Sequence, residues 1–178
     1  MATARNSGFT LVELTVVILV VGILAVAALP RVFGKEFDER GFHDGVKAAL
    51  SHARHVAVAS RRFVCVSNAN SADSATPQVS VAMDTREPDG SETNPVDCVV
   101  QPNGNGAAIS LPGRAGSRAC AANAVCPPEG VVLGGASVWF DPLGRSVSAN
   151  KTVATAVRSI SVSNQPDITV QPETGWVQ

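Results

Sequence analysis

The chain of 178 residues has no tyrosine, only two tryptophans and two methionines, and no C-x-x-C pair. With so few aromatics, any core must be assembled mainly from valine, alanine, isoleucine and leucine. Charge is also scarce: 16% of residues are Asp, Glu, Lys or Arg, against about 25% in an average soluble domain. Fourteen Lys/Arg and fifteen Asp/Glu leave a net charge of -1, which gives no electrostatic ground for a nucleic-acid partner. Arg114 and Arg118 precede Cys120, but no Lys or Arg follows Arg158, so a basic C-terminal stripe is missing. G-x-S-x-G, H-E-x-x-H, phosphate-loop and dinucleotide fingerprints are all lacking, so neither an enzyme nor a cofactor is expected. His52 and His55 stand three apart, but no third ligand at helical spacing joins them, and a solvated or interfacial face is the simpler reading. No metal site is expected.

Cysteine is limited to Cys65, Cys98, Cys120 and Cys126. An even count in an exported chain points to two disulfides, and sequence alone leaves three pairings open. The expected pairing is Cys65–Cys98, tying the helix end to the sheet region, with Cys120–Cys126 closing a tight Ala/Asn loop. Asp84, Asp89 and Glu92 fall in one stretch with Gly90. Their spacing does not fit an EF-hand, and a solvated turn is expected. Asp141 before Pro142 reads as turn chemistry.

What the chain does have is a long apolar run. From Phe9 to Leu29 the only ionisable side chain is Glu13. A helix of that length, rising about 1.5 Å per residue, matches a hydrocarbon layer of roughly 30 Å. A cleaved secretory signal fits poorly, because the run exceeds the usual apolar length and no clear A-x-A site follows it. A plain membrane anchor leaves Glu13 unexplained, since a carboxylate at mid-membrane costs about 2.5–3.5 kcal/mol without a partner. No Lys or Arg lies within the run.

The stretch "GFTLVEL" followed at once by this run resembles the class III signal sequence of type IV pilins and of the pseudopilins of type II secretion. The resemblance implies that a membrane-embedded prepilin peptidase cuts after Gly8 and N-methylates Phe9. It also implies that Glu13 meets the cationic N-terminus of a neighbouring subunit during filament assembly. The missing cation is then a backbone amine made by processing and supplied in trans. Arg5 keeps the leader positive and on the cytoplasmic side, although Asn6 and Ser7 separate it from the glycine.

Past Pro30, apolar residues at Val32, Phe33, Phe37, Val46, Ala49, Leu50, Ala53, Val56, Ala57 and Ser60 keep largely helical spacing, so helix is expected to about residue 62 with one buried stripe. Gly34, Gly41 and Gly45 make the stretch from Phe33 a candidate for bending or fraying, and Arg61 and Arg62 are placed in the last turn. The period then changes. "FVCVS", "QVSVAM", "DCVVQ", "AAISL", "VVLGG", "SVWFD", "RSISVS" and "DITVQ" read as short strands separated by turn residues.

The segments "SVWFDPLGRSV" and "ITVQPETGWVQ" resemble the ending of H-type minor pseudopilins and of the minor pilins of mannose-sensitive haemagglutinin pili. The resemblance implies that an aromatic-x-P-x-G turn joins two strands and that a strand pair closes the chain. The fold expected is α+β: a long, partly transmembrane N-terminal helix packed on an antiparallel β domain of one or two small sheets. Its parts are a leader over 1–8, a transmembrane and assembly helix over 9–30, and a periplasmic or extracellular domain over 31–178. The function expected is a minor pilin-like structural subunit, or alternatively a minor pseudopilin supporting protein export. Its partners would be other pilin or pseudopilin subunits, the prepilin peptidase and the inner membrane. It would sit in that membrane as a single-pass protein before assembly, and in the periplasm or a surface filament afterwards.

Overall fold

The structure, a computed structural model, describes residues 10–69, 77–86, 94–100, 104–112 and 121–178, with the side chains of 26–33 and 69 outside that description. Helix α1 spans Leu11–Ser60. The chain divides into a unit ending at Phe37 and a larger unit, Asp38–Gln178. In the first unit the described side chains from Thr10 to Ala25 are exposed. In the second, α1 buries one stripe: Phe42, Val46, Ala49, Leu50, Ala53 and Ala57. These positions recur at three- and four-residue steps and so share one face.

Two details differ from the expectation. The glycine-containing part that was expected to bend or fray is helical, and Phe42 anchors it in the core while Phe37 stays exposed. Packing of the larger unit compensates for the weak intrinsic propensity of Gly41 and Gly45. Arg61 and Arg62 lie just beyond the last turn rather than in it. Arg61 takes a left-handed φ of 54°, and the Arg62 N–H donates to the Ala57 carbonyl at 3.2 Å. That is a six-to-one closure of the helix end.

Among the described residues nine strands follow in chain order: β1 Val64–Ala69, β2 Gln78–Asp84, β3 Gly106–Ala108, β4 Ala124–Val125, β5 Leu133–Gly135, β6 Val138–Phe140, β7 Ser146–Val147, β8 Arg158–Val162 and β9 Ile168–Val170. The larger sheet has the order β3-β2-β1-β6-β7, with β4 also pairing to β2. The smaller has the order β5-β8-β9, and all pairs in both sheets are antiparallel. The fold is therefore the expected α+β arrangement, a long helix packed on antiparallel sheets.

Strand alternation sends Val64, Val66, Val79, Val81, Val138 and Phe140 from the larger sheet, and Ile160, Val162, Ile168 and Val170 from the smaller, into one core with the α1 stripe. Asn68 links the two sheets, its side-chain amide donating to the Gly134 and Gly135 carbonyls at 2.9 and 3.0 Å. The outer side of β9 is covered by the chain's last residues, with reciprocal backbone bonds between Thr169 and Gln178 at 3.1 and 2.9 Å.

The stretch "DCVVQ" is not a strand: from Asp97 to Val100 the chain is irregular. The Asp97 carboxylate accepts the N–H groups of Val99 and Asn105 at 3.0 and 3.2 Å, and the Asn105 amide at 2.9 Å. A side chain thus takes donors that a ladder would need. Val99 and Val100 remain exposed, so burial offers no competing gain.

Candidate functional site

The first turn of α1 is set by Thr10, whose hydroxyl accepts the Glu13 N–H and whose carbonyl accepts the Leu14 N–H, both at 3.2 Å. Thr10 is the N-cap and Glu13 the third helical residue, the T-x-x-E arrangement that satisfies orphan donors at a helix start. A carboxylate in the first turn also complements the partial positive charge of the helix N-terminus. The Thr15 hydroxyl bonds back to the Val12 carbonyl at 2.9 Å, so the next polar group of the run is satisfied within its own helix. Around these groups Leu11, Val12, Leu14, Val16, Val17, Ile18, Leu19, Val20, Val21, Ile23 and Leu24 are all exposed. A helix apolar on every side is suited to lipid or to other helices rather than to water. Among the described residues no helix is long and apolar enough to cross a membrane; the side chains of 26–33, which complete the run in the sequence, fall outside them.

Gly8 and Phe9 lie outside the described residues, as do Asp89, Glu92, Arg114, Arg118 and Cys120. Cys65 and Cys98 form a disulfide, with Cα atoms 6.1 Å apart. Cys126 is buried and disulfide-bonded. Cys65 sits on the face of β1 opposite Val64 and Val66, yet it is buried. The bridge to Cys98 fastens the irregular segment over that face.

Asp84 was expected in a solvated turn. It instead ends β2 and is buried. Its carboxylate accepts the Arg86 N–H and Nε at 3.0 Å each, Arg86 Nη2 at 2.6 Å and the Asp97 N–H at 2.9 Å. Burial pushes this carboxyl upward, but the Arg86 guanidinium and the two backbone donors outweigh it and hold the group below the ordinary 3.8. The N–H of Val99, with the side chain and N–H of Asn105, likewise lowers Asp97. Arg86 thus supplies the counter-charge of the buried Asp84, and the cluster serves as a fastener for the loop. His52 and His55 lie on α1, half-buried and exposed respectively.

The two C-terminal motifs meet in space. In "FDPLGR" the buried Asp141 accepts the Leu143 and Arg145 N–H groups at 2.9 and 2.8 Å and the Arg145 Nε at 2.8 Å, which is the turn role expected of it. Gly144 takes a φ of 80° and Gly175 one of 60°, and a Cβ on Gly175 would stand 1.9 Å from the Gly144 carbonyl oxygen. The approach requires glycine at 175, while Gly144 has its own left-handed φ and crowding from Val58. Arg54 of α1 donates to the same carbonyl at 3.3 Å, so helix, turn and final hairpin converge on one point. Where the resemblance implies a closing strand pair, the chain's last residues return along β9 through an isolated bridge between Val170 and Val177, with the Gln171 N–H donating to the Trp176 carbonyl at 2.9 Å.

Arg54, Asp97 and the Thr10 cap were not singled out from the sequence. The T-x-x-E spacing before an apolar run was the available signal for the cap. No local pattern distinguishes Arg54, whose partner Gly144 is 90 residues away, whereas Asp97 accepts from Val99 only two residues on, a side-chain turn that the strand-like text around it masks.

The architecture alone does not select a function, since helix-on-sheet folds host many. Residues 3–29 match the prokaryotic N-terminal methylation motif. The matched segment contains Gly8, Phe9, Glu13 and the whole apolar run from Phe9 to Leu29. It supports a type IV pilin-like or pseudopilin subunit, made as a membrane-anchored precursor and processed by a prepilin peptidase. No curated protein and no solved structure matches the chain.

Proposed function

We propose that the protein is a minor pilin-like structural subunit of a type IV pilus, cut after Gly8, methylated on Phe9 and assembled through α1. The observation that carries this reading is the methylation-motif match over residues 3–29 on a helix whose apolar side chains are exposed on every side. Cutting after Gly8 leaves a cationic amine one residue before the Thr10 cap. The positive end of the helix disfavours a cation there, and the Glu13 carboxylate offsets it. In a filament the same carboxylate serves a neighbour's amine, so each subunit supplies what the next one lacks in lipid. Successive head-to-tail contacts of this kind do not close on themselves and produce a fibre. The likeness of the C-terminal motifs to H-type minor pseudopilins supports a minor rather than a major subunit.

Mass spectrometry of the membrane-extracted protein tests the proposal. The expected mature chain starts at Phe9 and carries one added methyl group. A chain that keeps residues 1–8, or that starts after Ala28, overturns it. Glu13→Ala is expected to insert into the membrane but to enter filaments poorly, and undiminished incorporation rejects the pairing role.

A further inference from the structure

An open cleft of about 500 Å³ lies between the β5–β6 turn and the segment joining β7 to β8, with Arg158 and Ser159 at the start of β8 on its wall. Its size falls within the range of small-molecule sites, roughly 300–1,000 Å³. Ser148, Thr152, Thr155 and Ser159 line it, and no carboxylate does. Arg158 is half-buried, with its guanidinium carbon 5.3 Å from the centre of the Trp139 ring. Among the described residues its one hydrogen bond is a long one, from Nη1 to the Ser137 carbonyl at 3.4 Å. Its Nε is buried and bonds to nothing. Among the described residues Arg158 has no carboxylate partner. The other two half-buried arginines with ion pairs, Arg86 and Arg145, each have an aspartate within 2.7 Å.

A half-buried guanidinium with no counter-ion is costly unless something pairs with it. The Trp139 ring lies against the guanidinium in a cation–π contact, which helps hold the cation in place before any ligand arrives. With Nε buried and Nη1 bonded to Ser137, the guanidinium still pairs with a carboxylate through its charge and its remaining nitrogen, Nη2. One cation among four hydroxyl-bearing residues suits a single negative charge on a hydroxylated molecule better than a phosphate dianion. Ser148 and Thr152 already share a 2.6 Å bond, leaving their remaining valences for ligand hydroxyls.

We propose that this cleft binds a carboxylate-bearing, hydroxylated small molecule of the acidic-sugar class, with Arg158 as its counter-ion and the surrounding Ser and Thr hydroxyls reading its hydroxyl groups. The proposal stands independently of the filament reading.

Because Trp139 is stacked on Arg158, its fluorescence is the reporter. In the full-length protein in detergent, Trp176→Phe leaves Trp139 as the only tryptophan, and glucuronate is titrated against glucose and acetate. A saturable change with glucuronate is expected, with binding of glucose and of acetate weaker by roughly tenfold or more, since each lacks one half of the recognition. Arg158→Gln should abolish the glucuronate response while leaving the protein folded by circular dichroism. An absent glucuronate response, an equal response to glucose or acetate, or a response that persists in Arg158→Gln overturns the proposal. If Arg158→Gln does not fold, the three-ligand comparison on the parent protein decides alone, and Thr155→Val, which keeps the cation, should weaken glucuronate but not acetate.

Discussion

Replacing both Cys65 and Cys98 by alanine tests what holds the irregular segment between β2 and β3. The bridge spans 33 residues of sequence. By loop-closure entropy its removal frees the unfolded chain by about 12–13 cal/mol/K, or about 4 kcal/mol at 25 °C. Cys65 is only 2% exposed, so its truncation adds a small cavity, worth about 1 kcal/mol. Burial offers little to offset this, because Val99 and Val100 face solvent and the segment carries no strand from Asp97 to Val100. The expected loss is therefore about 4–5 kcal/mol, which at a urea slope of about 2 kcal/mol/M lowers the midpoint by roughly 2 M. Urea titration of the double variant, followed through Trp139, leaves any bridge at Cys126 intact, which chemical reduction would not. A fall of less than about 0.5 M with an unchanged slope would refute the reasoning. It would mean that Asp84, Arg86 and Asp97 hold the segment without the cross-link.

The same cluster predicts an acid sensitivity. Asp84 and Asp97 are both held below the ordinary 3.8, so their stabilisation is complete above an unfolded pKa of about 4 and is lost as pH falls through their lower folded values. Urea midpoints should therefore be level from neutral pH to about 5 and drop below about 4, and Asp84→Asn should flatten part of that drop. Gly175→Ala should cost about 2–3 kcal/mol, from a left-handed φ and from the Cβ driven against the Gly144 carbonyl, and should lower the thermal midpoint by several degrees. Leu50→Ala, at a fully buried position of the α1 stripe, should cost about 2–5 kcal/mol and, with intact membrane insertion, should reduce the yield of folded protein.

The N-terminal segment was legible in the sequence because its information is local. The glycine, phenylalanine and glutamate at fixed spacing and the apolar run behind them all lie within one short stretch of sequence. The α1 stripe after Phe37 and the strands β1, β2, β6, β8 and β9 were also readable, since side-chain periodicity follows from backbone geometry whatever the partners are. The paired turn motifs were visible as text, and Asp141 was read correctly as turn chemistry.

Only the tertiary structure decided that Asp84 is buried against Arg86, that "DCVVQ" is a loop gathered by Asp97, and that Gly144 and Gly175 touch under Arg54. It also decided that Arg158 has no carboxylate partner among the described residues and lines a cleft with Ser and Thr. The meeting of Arg54, Gly144 and Gly175 joins groups from far apart in the chain. The bonds of Asp84 to Arg86 and of Asp97 to Val99 are local in sequence, and it is the packing around Asp84 that decides its burial. Burial, ion pairing and close backbone approach are properties of such meetings, and no residue carries them alone.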